Sequence, residues 1–418
     1  MNFYSRAALL AAISLFGMSC ARPSDAAVSA PPLAATPTFT PFAAQAFPAD
    51  WLSPAAPLAA PTFTPYPTQY TRGDEFATPA QILSPQDSAA LTIINPLTGL
   101  PVSDAALLER RPMAIKVANA PDYVRPQSGL TLADAVFEYY IEWGDTRFIA
   151  VMYSADSPKV GPVRSGRYFD EHVARMYNAF LVFKFADPRE YSYLKSSTLK
   201  DFLVVPGAGA CPPFEYGYHG RETYNNFFFN TLKWAKCAAK RNVDNLRPNF
   251  RNGFFAEEAP DSPLTAQRAY FFYSKYNYSY WQYDADAKKY FRYQEANDMV
   301  KGKPEAYAPL MDAQTGLQVN ADNLAVLFAP HVFANQFNAE DEVYNIDLLG
   351  SGDAYVFRDG VVVPARWNRT DENQPLLMTT LLGEPIYMRP GRTFYEVLGV
   401  TSSYEQRGDE WRFTFQTP

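Results

Sequence analysis

Between residue 21 and about residue 88 the chain is dominated by Pro, Ala and Thr and carries few charges. Such a segment cannot bury enough apolar surface to offset the entropy of ordering it. A folded core is therefore confined to the residues after it, roughly 330 of the 418, which is enough for about two domains. Proline at this density favours an extended, semi-rigid spacer. At about 3.1 Å per residue the spacer reaches roughly 200 Å at most. Two near-copies lie inside it, Thr38-Phe39-Thr40-Pro41-Phe42 and Thr62-Phe63-Thr64-Pro65-Tyr66. They read as spacer or as grips for a partner.

The residues before the spacer read as an export signal. A short n-region with one positive charge, Arg6, precedes an apolar run over 7–16. That run is too short to span a bilayer and has the length of a signal-peptide core. Gly17-Met18-Ser19-Cys20 follows, the pattern of a lipobox with Gly17 in place of the usual bulky aliphatic residue. Cys20 is thus the expected lipidation site, and residues 1–20 the signal. Cleavage after Ser24-Asp25-Ala26, giving a secreted protein, is the alternative. The other cysteines are Cys211 and Cys237, which an oxidising compartment allows to pair.

The folded part is expected to be α+β, with an N-terminal α/β domain over 89–265 and a β-rich domain over 266–418. Aromatic residues are 16% of the chain, and Tyr and Phe favour strands. Asn95-Pro96-Leu97-Thr98-Gly99 opens the domain as a turn. Residues 113–117, 135–142, 147–153 and 179–185 read as strands; 168–176, 191–200 and 231–240 read as helices. Beyond 266, strands follow at 269–274, 279–283, 289–293, 324–328, 354–358, 361–366 and 394–398. Asp284-Ala285-Asp286 and Asp359-Gly360 mark hairpins.

These segments resemble the YerB-like lipoprotein family, a two-part domain of unknown function, over nearly all of 93–400. The first half is carried by Asn95-Pro96-Leu97-Thr98-Gly99, Arg125-Pro126-Gln127-Ser128-Gly129-Leu130, Ala133-Asp134, Glu138, Thr146-Arg147-Phe148, Gly161-Pro162-Val163-Arg164-Ser165 and Tyr224-Asn225-Asn226. The second half is carried by Tyr283-Asp284, Tyr290-Phe291-Arg292, Asp312, Asn323, Gly350-Ser351-Gly352, Asp359-Gly360, Trp367 and Pro390-Gly391-Arg392-Thr393. Two places depart from the family pattern. Lys184-Phe185-Ala186-Asp187 stands where the family has a His and glycines, and Asn225 where it often has His. The resemblance implies export and two adjoining subdomains, and no reaction.

The formal charge of −7 argues against a nucleic-acid partner, which requires a basic excess. His172, His219 and His331 lack zinc-ligand spacing, so no metal and no cofactor is expected. The candidate site is Gly161 to Arg167, where Arg164, Ser165 and Arg167 sit on a turn entering a helix. Free backbone N–H groups beside two arginines suit an anion. Asp134, Glu138, Glu142 and Arg147 lie on the preceding segments, with Glu138 and Glu142 expected on one strand face. Two readings are open. One is a cleft for a carboxylate- or phosphate-bearing ligand; the other is a buried Arg–carboxylate network, with Arg164 paired to Asp134 or Glu138. The aromatic runs Phe227-Phe228-Phe229 and 270–283 read as strand core or as sugar-stacking surface.

Function follows in outline: an envelope lipoprotein, held to the membrane by lipid, that binds a wall polymer or another envelope protein without catalysis. The alternative is a hydrolase or transferase on wall material that uses Glu138 or Asp134. The anchor is directly testable. Cys20→Ala should release the protein from membranes, and mass spectrometry should find a lipidated Cys20 at the mature N-terminus; a mature chain beginning near Ala27 contradicts the assignment.

Overall fold

A computed structural model describes residues 93–217, 225–249, 251–334 and 342–418. Cys20, the spacer, His219 and Tyr224 lie outside them. The ten-stranded sheet takes β1 (Met113–Ala118), β2 (Ala135–Tyr140), β3 (Thr146–Met152), β4 (Phe180–Val182) and β5 (Leu203–Val204) from the first half. Its other strands come from the second half: β13 (Asn323–Ala329), β16 (Gly350–Arg358), β17 (Val361–Arg369), β18 (Leu377–Thr379) and β19 (Thr393–Gly399). The order is β18-β17-β16-β13-β19-β2-β3-β1-β4-β5, with β19 and β2 joining the halves as a parallel pair. A second sheet holds β8 (Arg268–Phe272), β9 (Tyr278–Asp284), β10 (Lys289–Glu295), β11 (Tyr307–Pro309), β12 (Asn320–Ala321), β20 (Ser403–Arg407) and β21 (Glu410–Thr414). Two hairpin-like pairs complete the set, β6 (Phe214–Tyr216) with β7 (Phe227–Phe229), and β14 (His331–Phe333) with β15 (Tyr344–Ile346).

The protein is mostly β with a small helical part, less helical than the expected first half implied. Its helices are α1 (Asp170–Met176), α2 (Pro188–Ser196) and α3 (Trp234–Lys240). Pro188 opens α2 where a missing N–H costs nothing, and Asp187 caps it by accepting from Arg189 N at 2.9 Å. Cys211 and Cys237 are joined as a disulfide, with Cα atoms 5.6 Å apart.

Alternation sets the layers. On β2 the side chains of Val136 and Glu138 leave one face, Phe137 and Tyr139 the other. The second sheet covers the Glu138 face. Trp281 packs edge-on against Phe394, with centroids 4.7 Å apart, and Phe413 and Trp411 pack against Phe357. On the opposite face Phe137 stacks on Tyr395 at 4.3 Å and meets Tyr177 at the end of α1.

The two sheets meet over one buried cation. The guanidinium of Arg292 on β10 lies 2.7 Å from Glu138 Oε2 and 3.0 Å from Glu396 Oε1, and all three side chains have no exposure. Glu138 and Glu396 are register partners on β2 and β19, so their carboxylates stand side by side. Glu138 Oε1 also accepts from Thr146 Oγ1 at 2.6 Å and Asn119 Nδ2 at 3.1 Å. Glu396 accepts from Trp281 Nε1 at 2.8 Å and from the Tyr273 hydroxyl at 3.0 Å. Gln294 Oε1 takes the remaining face of the guanidinium.

One guanidinium cannot neutralise two buried carboxylates. Burial first, and the Glu138 charge second, push the Glu396 carboxyl up to about 8. The folded state therefore holds a proton that the unfolded chain releases at a much lower pH. The stability this contributes is complete below the unfolded-state pKa and is lost as pH rises through about 8. Glu396→Gln, which mimics the protonated acid, should gain stability relative to wild type as pH is raised through that range. Thermal melts whose difference stays flat with pH contradict this.

Candidate functional site

Within the ten-stranded sheet β13, β19, β2, β1, β4 and β5 all run in one direction. The parallel pairs are β13–β19, β19–β2, β1–β4 and β4–β5, and β3 runs against both β1 and β2. In open sheets ligands gather outside the carboxyl ends of such strands. That end carries Arg147, Arg164, Ser165, Arg167 and Glu142.

The 161–167 segment is not a free turn. Val163 N donates to Phe227 O at 2.7 Å, Arg164 N to Lys116 O at 3.1 Å and Gly166 N to Phe185 O at 2.9 Å. Arg167 N donates to Asp170 Oδ2 at 2.8 Å. The segment lies extended between the ends of β1, β4 and β7, and these N–H groups are spent holding it there. The expectation of free backbone donors fails for that reason, and what is left to meet a ligand is side-chain charge.

Glu142 and Glu138 do not share a face. β2 stops at Tyr140 because the chain turns back through Trp143 at φ 54° and Gly144 at φ 87°. Glu142 is thereby placed on Arg167, which donates to it through Nε at 2.9 Å and also through Nη2. Arg167 Nη1 stands 3.5 Å from Glu190 Oε2. Glu190 is 2% exposed, and burial pushes its carboxyl up to about 7. Below Arg167, Lys116 donates to Asp170 Oδ1 at 2.7 Å, and Tyr139 OH donates to the same oxygen. Burial brings Lys116 down to about 8.

Arg147 and Lys184 complete the cluster. Arg147 is 5% exposed; it donates to Thr146 O at 2.9 Å and stands 3.7 Å from Asp145 Oδ2. Burial, and then the charge of Arg164, hold it down to about 9. Lys184 lies over the rings of Phe227 at 3.8 Å and Phe185 at 5.1 Å. Burial and Arg164 hold it down to about 8. Lys116, Arg147, Arg164, Arg167 and Lys184 thus lie in the field of one another and of Glu142, Asp145, Asp170 and Glu190.

Asp134 and Glu138 belong elsewhere. Asp134, at the opposite end of β2, accepts from Asn95 Nδ2 at 2.6 Å, Tyr153 N at 2.7 Å, Ser154 N at 3.0 Å and the Ser154 hydroxyl. It ties the Asn95 turn to the sheet. Glu138 is consumed by Arg292 on the other face. The bonds formed by these two carboxylates are to groups other than Arg164, and both side chains are buried. His172 Nδ1 meets Arg369 Nη1 at 3.0 Å, and His331 Nδ1 meets Ala329 O at 2.9 Å. The sequence reading missed Lys116, Asp170 and Glu190. A single lysine inside the apolar strand Met113–Ala118 was the available signal.

Two family models match the chain: "Protein of unknown function (DUF3048) N-terminal domain" over 97–244 and the corresponding C-terminal domain over 269–395. The Bacillus subtilis (strain 168) protein described as "Putative lipoprotein YerB" is 25% identical over 304 residues, which are 72% of this chain and 85% of that protein. The crystal structure of YerB protein from Bacillus subtilis has the same fold, with a TM-score of 0.58 at 23% identity, covering 73% of this chain and 96% of that one. The motif resemblance and these matches agree: the chain belongs to the DUF3048 family of lipoprotein YerB and contains both of the family's domains.

Proposed function

We propose that this chain is an exported envelope lipoprotein that binds an anionic wall polymer at the carboxyl end of its parallel strands and catalyses no reaction. A lipid on Cys20 holds it to the membrane, and residues 21–88 space the folded region from it. The division near 265 into an α/β half and a β-rich half is part of this reading, with the two halves sharing one sheet. Its likeness to a protein named as a lipoprotein supports the anchor.

The observation that carries the binding site is the crowding of Arg147, Arg164 and Lys184. The pKa values of Arg147 and Lys184 are depressed by burial and further by Arg164. Arg147 and Lys184 are buried and Arg164 is half-buried, so a carboxylate or phosphate meets the planar fork of Arg164 and is favoured by the charge of the other two. Lys184 and Asn225, the two departures from the family pattern, adjoin this cluster. Lys184 N donates to Arg164 O at 3.0 Å, and Asn225 lies two residues before the ring on which Lys184 rests.

Titration calorimetry of the full chain with oligogalacturonate should show binding that weakens with added salt. It should also weaken above about pH 8, where Lys184 loses its proton. Arg147→Met should lower the affinity about tenfold or more, the scale of one charge-assisted contact, while leaving the melting temperature unchanged or higher, because a cation held below its ordinary pKa is removed. A variant that binds like wild type, or that unfolds several degrees earlier, contradicts the site.

A further inference from the structure

A lysine and an aspartate meet out of water beneath the sheet edge. Lys116 stands in the middle of β1, and Asp170 is the first residue of α1. Lys116 Nζ lies 2.7 Å from Asp170 Oδ1, and neither side chain has any exposure. The Tyr139 hydroxyl joins them: it accepts from Lys116 Nζ and donates to Asp170 Oδ1. The second carboxylate oxygen, Asp170 Oδ2, accepts from Arg167 N at 2.8 Å. Rings help to keep water from the pair. The ammonium lies 4.1 Å from the Tyr139 ring centroid, and the buried Phe169 packs on that ring at 4.4 Å.

A third group acts on the pair. Glu190 on α2 is buried, and the charges of both Asp170 and Lys116 act on it. Its Oε2 faces Arg167 Nη1, while its Oε1 is buried with no hydrogen-bond partner among the described residues. Such an oxygen is costly to bury and is free to take a proton. Burial favours the neutral form of all three groups. It brings Lys116 down to about 8, raises the Asp170 carboxyl and pushes Glu190 up to about 7. Protons can therefore pass among amine and carboxyls near neutral pH.

We propose that Lys116 and Asp170 condense in the folded protein to an isopeptide bond, with Glu190 as the proton carrier. The ammonium first gives a proton to Asp170 Oδ2, leaving an amine beside a carboxylic acid. Nζ attacks Cγ, the Nζ–Cγ bond forms, and an electron pair moves onto Oδ1, where the Tyr139 hydroxyl already donates. Glu190 takes a second proton from the nitrogen and passes it to Oδ2. The Cγ–Oδ2 bond breaks, Oδ1 becomes the amide carbonyl, and Oδ2 leaves as water with the two protons that the nitrogen lost. No oxidant or outside reagent enters. The fold supplies proximity, and the amide removes two charges whose desolvation is otherwise unfavourable. The bond would tie β1 to α1 and does not depend on the proposed anion site.

Mass spectrometry of the purified full chain, denatured, reduced at Cys211–Cys237 and digested, tests this. The peptides that contain Lys116 and Asp170 should be recovered as one branched species, lighter than the two together by one water. Glu190→Gln leaves both bonding partners in place, so that variant should fold and yield the two peptides separately at full mass. Asp170→Ala should also yield a free Lys116 peptide; if that variant fails to fold, the wild-type digest still decides. Separate, full-mass Lys116 and Asp170 peptides from the folded wild type overturn the proposal and leave a buried ion pair. A water lost at other residues overturns it as well. A Glu190→Gln chain crosslinked as fully as wild type overturns the role given to Glu190.

Discussion

A guanidinium with no exposure, held between carboxylates on two neighbouring strands, ties this molecule together. Arg292 comes from the second sheet, Glu138 from the first half of the chain and Glu396 from its second half. An ion pair out of water gives little net stability, since desolvation offsets its attraction. Its effect here is on register. β2 and β19 are joined in parallel, and Glu138 stands opposite Glu396 only in this register. A slip by one residue would turn one carboxylate to the other face and leave the cation with a single partner. The surrounding Phe148, Trp281 and Phe394 rings, each with its centroid 5.2–5.3 Å from the guanidinium, exclude water that would otherwise compensate for such a slip.

Fixing β2 beside β19 has consequences at both ends of β2. At its start, Asp134 binds the Asn95 turn, and Arg392, just before β19, donates to Ala133 O at 2.7 Å and Asn320 O at 3.0 Å. The motifs at 95–99, 133–134 and 390–393 are one structural joint. At its end, the chain turns through Trp143 and delivers Glu142, Asp145 and Arg147 to the edge where Arg164 and Lys184 arrive from the other side. The polar residues of the sheet thus divide by place. Those on the Glu138 face and at the start of β2 hold the fold, and those at the carboxyl end gather Arg167 with Glu142 and Glu190, beside Arg147 and Asp145.

Much of this architecture is legible in the sequence because it is local. The hairpin at Asp359-Gly360 forms with both residues at positive φ, 52° and 76°, as a tight two-residue turn requires. Helices form close to the three expected stretches, and the strands beyond 266 fall near where β-branched and aromatic runs place them. What was not legible is pairing across distance. No local pattern sets Glu138 beside Glu396, or Arg292 between them, because those residues meet only through strand order. Glu138 and Glu142 have the spacing of one strand face, and only the break at Trp143 separates them. The 161–167 segment reads as an open turn because its partners, Phe227 and Lys116, are contributed by remote strands.

If the Arg292 clamp holds the two sheets together, removing it should destabilise the whole molecule. Urea denaturation of the full chain with Arg292→Met, followed by tryptophan fluorescence, measures this directly. The account predicts a loss of about 3–5 kcal/mol, the cost of leaving buried carboxylates without their cation. A loss below about 1 kcal/mol, the scale of an ordinary surface pair, would contradict it.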